Sequence, residues 1–265
     1  MKNTSLSASI TMLTTYTLAR RELVRFLRQR NRVFGALAQP VAFWALFGSG
    51  LNASFRPQPG TGSDNYVEYF FPGVIVLILL FTAIFATISV IEDRNEGFLQ
   101  SVLVSPAPTF GIVAGKLLGT SVLAVGQASL IFLLAPLAGI ELTVSAIVYG
   151  LPLLALIALG LTGLGFTIAW QTDSTQGFHA IMTAFLIPMW LLSGAFFPAH
   201  GVPAWLAVII DINPLTYGVA AFRHILYAGQ AAPLDGLPGF GLCMAVTTIF
   251  TVLSIGSSIW VVNRD

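Results

Sequence analysis

The chain reads as an all-α integral membrane protein: six transmembrane helices, an N-terminal amphipathic interfacial helix, and an external re-entrant helical hairpin between spans five and six. Three observations predict this. The 265 residues are 56% hydrophobic and only 9% charged, with a mean hydropathy of +0.85, far below the roughly 25% charge of a soluble domain. Six apolar runs have the ~20 residues needed to cross ~30 Å of hydrocarbon. Finally, ten of the twelve Lys/Arg residues fall on one side of the resulting topology.

In chain order, residues 1–32 are expected to be a cytoplasmic N-terminus. Within TYTLARRELVRFLRQRNR, Tyr16, Leu18, Leu23, Phe26 and Leu27 recur among arginines, the pattern of a basic amphipathic helix lying on a membrane surface. The cluster is followed by no small-residue cleavage site, so the segment is not read as a signal peptide. Residues 33–265 form the six-helix domain, with spans at 33–51, 69–91, 111–140, 145–170, 178–197 and 237–262. Lys2, Arg20, Arg21, Arg25, Arg28, Arg30, Arg32, Arg94, Lys116 and Arg264 lie on the side of the termini, against Arg56 and Arg223 opposite. That bias predicts cytoplasmic termini.

Between spans two and three, residues 92–108 form a cytoplasmic loop. Phe98, Leu99, Val102 and Leu103 make one apolar stripe of a short helix that Pro106 and Pro108 stop. Glu92, Asp93 and Glu96 precede it, where a helix N-terminus favours acids. Surface helices that rest on lipid headgroups are basic, so an acidic lead-in points to a protein partner. GIVAGKLLG lacks the spacing of a phosphate loop and carries no Ser/Thr after Lys116. Its Gly111, Gly115 and Gly119 form instead a small-residue stripe for helix packing, as do Gly160, Gly163 and Gly165.

The external segment 198–235 is apolar, yet each of its helical pieces is too short to span. Val202-Pro203 opens one helix. Asn213-Pro214 supplies an N-cap and a first-turn proline for the next, which carries Arg223 and which Gly229 can end. His179, His200 and His224 have no acidic neighbours at metal-site spacing. Cys243 is the single cysteine. No hydrolase or zinc-protease pattern occurs, and a net charge of +1 gives no sign of nucleic-acid binding. Lys116 and Glu68 stand near span ends and the apolar runs are otherwise almost free of ionisable groups, so energy for any transport is expected from elsewhere.

The run E-D-R-N-E-G-F-L-Q-S-V-L-V-S-P, with Gly115-Lys116 beyond it, resembles the signature of ABC-transporter permeases of the type 2 exporter family, which includes drug-exporter and polysaccharide or lipo-oligosaccharide exporter permeases. Asn213-Pro214-Leu215 with Arg223 downstream is similar to its second recurring pattern. Phe98 stands where a threonine is common, and Gln100 where an acid is common. The resemblance implies a permease in a bacterial-type inner membrane, two copies forming a homodimer, with a separate ABC ATPase subunit that binds the ATP and Mg; this chain itself would hold no cofactor. It implies that Glu92, Asp93, Arg94, Glu96, Gly97, Phe98, Leu99, Val102, Leu103 and Pro106 form the element coupled to the ATPase, and that Asn213, Pro214 and Arg223 belong to an external gate. The cargo would be a drug, lipid or lipid-linked glycan moved outward; substrate-binding residues are unknown. An ATP-independent transporter or channel, marked by an ionisable group within the membrane, and a membrane scaffold for a cytoplasmic enzyme are the alternatives.

Overall fold

A computed structural model describes residues 2–55, 65–105, 107–198, 202–228 and 236–264. Among these, six helices are long and apolar enough to cross a membrane. The longest, α3 (Tyr66–Asn95), is the central one: Asn65 caps its start by accepting from the Glu68 amide at 2.9 Å, and its sides are almost wholly buried. Around it stand α2 (Arg30–Asn52), α5 (Thr109–Phe132), α6 (Val144–Trp170) and α7 (Thr175–Trp190), while α10 (Phe240–Arg264) packs mainly on α6.

Close approach follows the small residues. On α6, a methyl at Gly160 would meet Phe250 at 2.8 Å and one at Gly163 would meet the Ser254 backbone at 2.9 Å, so α10 lies directly on these glycines. The Ser258 hydroxyl then donates to the Gly163 carbonyl at 2.9 Å.

Two expectations are corrected. Span three does not run to residue 140: α5 ends at Phe132 and a 3-10 turn, Ala135–Ala138, follows, because Pro136 has no amide to continue the α-helical ladder. The N-terminal helix α1 (Lys2–Arg28) is not held by lipid alone. It runs beside the first turns of α5, over the stripe of Gly111, Gly115 and Gly119, where added methyls would strike Thr11, Leu18 and Ala19 at 3.2, 2.8 and 2.8 Å. Leu18 and Phe26 are covered by protein, whereas Tyr16 and Leu27 stay exposed.

At the other end of the bundle, α7 passes into a π-helical turn (Leu191–Ala195) broken inside by Gly194 at φ 73°. Next come α8 (Ala204–Ile212) and α9 (Pro214–Leu226), bent by 77° against each other. Pro203 caps α8 from just outside rather than occupying its first position. Asn213 and Pro214 are N-cap and first residue of α9, as their residue types predict. His200 and Gly229 fall outside the described residues.

Candidate functional site

The charged stretch after the second span divides its side chains among several helices. Glu92 and Asp93 belong to the last turn of α3, so they face the negative end of a helix dipole rather than the positive end expected for them. Cations compensate. Arg21 of α1 grips Asp93 with two hydrogen bonds, 2.8 and 2.7 Å; Arg25 pairs with both Asp93 and Glu92; and Arg32 of α2 pairs with Glu92. Burial disfavours the Arg21 charge, but its hydrogen bonds to Asp93 and the charge of that carboxylate outweigh this and raise its pKa.

Beneath them, Lys116 lies two turns into α5, not at its end. Its ammonium bonds Asp93 and, at 2.8 Å, Glu22 of α1, whose other oxygen accepts from Ser89 at 2.7 Å. Glu22, Asp93 and Lys116 are all buried. Buried charges persist only when paired and hydrogen-bonded, and here the pairs also bind four helices, α1, α2, α3 and α5. Sequence reading missed Glu22. Its signal was present, as the lone acid among eight cations in the first 63 residues.

Arg94 points the other way. It donates to the carbonyls of Ala169 and Trp170 and meets Asp173 at 3.3 Å, adding a charged donor at the C-terminal carbonyls of α6. Glu96 then ends α3, and Gly97, at φ 75°, turns the chain into α4 (Phe98–Leu103). A methyl at Gly97 would touch nothing within 4 Å, so glycine is needed there for backbone conformation, not for close approach. Phe98 lies under the Arg21 guanidinium at 3.7 Å, and Leu99 is 2% exposed within the protein's own core.

Phe98 and Leu99 therefore seat this helix on its own bundle. What it presents outward is Glu96, Gln100, Ser101 and Val104, the last 87% exposed, with Val102 half-buried. The side chain of Leu103 and all of Pro106 fall outside the described residues. Asp93 is fully buried and touches no surface, so only a positioning part is open to it.

The second predicted group gathers at the opposite end. Asn213 accepts from the Leu215 amide at 3.0 Å and donates to the Met189 carbonyl at 2.6 Å, fixing α9 to α7. Arg223, assigned to an external loop by sequence, is instead buried. Its Nη2 donates to the carbonyls of Tyr69 and Gly194, and the guanidinium lies 4.1 Å over the Tyr69 ring. His224 bonds the Pro238 carbonyl at 2.9 Å.

A family model described as ABC-2 type transporter matches residues 14–227. Among curated proteins, one named as a transport permease, ycf38, from Cyanophora paradoxa is 26% identical over 229 residues, 84% of this chain and 78% of that protein. Nodulation protein J of Rhizobium meliloti is 24% identical over 82% of each chain. A multidrug ABC transporter permease by name, YbhR of Escherichia coli, is 28% identical over 58% of this chain but only 42% of its own length. The family match spans α1 through α9, and so takes in both the charged cluster with α4 and the Asn213-Pro214 corner with Arg223. The chain belongs to the ABC-2 type transporter family, as a multi-pass membrane permease.

Proposed function

We propose that this permease is the membrane half of an ATP-driven exporter and that α4 is the element its ATPase subunit grips. Membership of the family implies association with such a subunit; the observation that carries the finer reading is how α4 is mounted. A six-residue helix is too short to be stable alone. Here Gly97, Phe98 under Arg21, and buried Leu99 hold it on the end of α3, and the charged cluster fastens that end to the other helices. Force applied to α4 is thereby delivered to the central helix.

The remaining parts are proposed on the same footing. Two copies form a homodimer in a bacterial-type inner membrane, with both termini cytoplasmic as the ten-to-two Lys/Arg bias favours. ATP and Mg bind the partner. The exposed Tyr16 and Leu27 of α1 meet the headgroup region, and the bent α8–α9 pair dips into the outer leaflet as a re-entrant hairpin. The cargo is hydrophobic or amphipathic: a drug, a lipid or a lipid-linked glycan.

The decisive variant is Val104→Glu, because Val104 is exposed and its loss disturbs no internal packing. Placing a charge in an interface anchor commonly costs more than ~1 kcal/mol of binding. The variant should insert normally, lose its ATPase on co-purification and stop transport. Full binding and coupled transport by the variant would refute the docking role. Orientation is read separately: a cysteine at Glu141 should react with an impermeant reagent outside intact cells, one at Ser174 should not, and the reverse pattern would invert the topology.

A further inference from the structure

Arg223 is a second buried charge and, unlike Asp93 or Lys116, it forms no ion pair among the described residues. It is 3% exposed, and no carboxylate among the described residues lies within ion-pairing distance. Among the described residues, only the N–H groups on Nη2 find acceptors, the Tyr69 and Gly194 carbonyls at 3.2 and 2.9 Å, and the buried Nε finds none. Carbonyl oxygens, the face of Tyr69 and the C-terminal end of its own helix ease the charge without neutralising it. A buried guanidinium with an idle donor calls for an explanation.

The same side chain lines a cavity of about 100 Å³. A water needs only ~10–15 Å³ of such space, so the cavity has room for one tetrahedral oxyanion. Its walls come from the start of α3 (Tyr69), the π-helical turn (Ser193, Gly194), α9 (Thr216, Ala220) and the residues before α10. Asp211 stands at its edge, exposed and not bonded to Arg223. We infer that this cavity is an anion site, in which Arg223 takes a phosphate-type group from a lipid, a lipid-linked molecule or free solution. Guanidinium suits that role because its fork matches two phosphate oxygens. The site lies where the hairpin, α3 and α10 converge, at the end of the bundle away from α4. That its occupant is cargo rests on the export reading; binding itself does not.

Binding is measured on the purified permease in uncharged detergent at low salt, by calorimetric titration with dihexanoyl phosphatidic acid, inorganic phosphate and dihexanoylglycerol. The phosphatidic acid should bind, the glycerol should bind at least tenfold more weakly, and Arg223→Gln should lose at least tenfold in affinity, with Arg223→Lys between. Phosphate binding as tight as the lipid identifies a site for a free oxyanion; phosphate binding tenfold weaker identifies one for a lipid-borne group. Since Arg223→Gln also removes the tether to Gly194, Ala220→Leu, which narrows the cavity and spares every Arg223 hydrogen bond, should weaken binding as well. Should both variants unfold, the wild-type contrast between phosphatidic acid and dihexanoylglycerol decides. Equal binding of those two, no binding of any anion, or unchanged affinity in folded Arg223→Gln overturns the site.

Discussion

Asn213 illustrates what a single side chain contributes beyond its motif. By residue type it is an N-cap, and aspartate caps as well as asparagine. In the structure its amide also donates to Met189 at 2.6 Å, and the residue is 7% exposed. Asn213→Asp keeps the cap yet turns a buried donor into an anion facing a carbonyl, so it should cost about 1–3 kcal/mol. Asn213→Ser, which caps and carries a hydroxyl donor, should cost less. Thermal unfolding of the purified variants checks the order, and an Asp variant as stable as wild type would show that the Met189 contact is dispensable. The cap was legible in the sequence because its partner is two residues away. The donation to Met189, 24 residues away, was not, and neither was Glu22 with Lys116, 94 residues away. Pairing across helices depends on which faces meet, and hydropathy says nothing of that.

Helices themselves were easier to read. All six spans emerge from apolar length alone, because lipid demands an unbroken hydrogen-bonded helix. The sequence reading went astray where a helix had a choice of partner or an early stop: α1 has an apolar face that lipid and α5 could each cover, and α5 has a proline beyond its end. Short α4 was located correctly by its stripe, but Phe98 and Leu99 of that stripe face inward. Its orientation depends on Gly97, whose φ of 75° lies in the region that side chains other than those of asparagine and aspartate rarely enter. Gly97→Val should therefore shift α4 off its seat, at a cost of roughly 1–2 kcal/mol or more, and weaken ATPase co-purification. Gly97→Asn should be milder. Equal loss in both variants would assign the effect to side-chain bulk at the partner surface rather than to the turn.

Among the described residues, the buried charges gather at the two ends of the bundle, and the polar side chains between them are uncharged. One end is neutralised pair by pair, by four cations against Glu22, Glu92, Asp93 and Glu96; the other holds Arg223, buried and without an ion pair among the described residues. Helix α3 runs between them, roughly 45 Å at ~1.5 Å per residue over its 30 residues. Near its far end Pro72 lacks an amide, so the Glu68 carbonyl cannot receive the usual bond from four residues on; the Tyr227 hydroxyl, just past α9, donates to it at 3.2 Å instead. Mechanically this makes α3 a strut with a stiff shaft and a single pivot, and the pivot's missing stitch is supplied from the hairpin. A tug on α4 would travel the shaft undiminished and be spent in bending at Pro72, dragging Tyr227 and the hairpin with it. Pro72→Ala restores the stitch within α3 and should stiffen the pivot. ATPase binding should then persist while transport per ATP hydrolysed falls several-fold; transport at the wild-type ratio would mean that the stroke is not delivered along this strut.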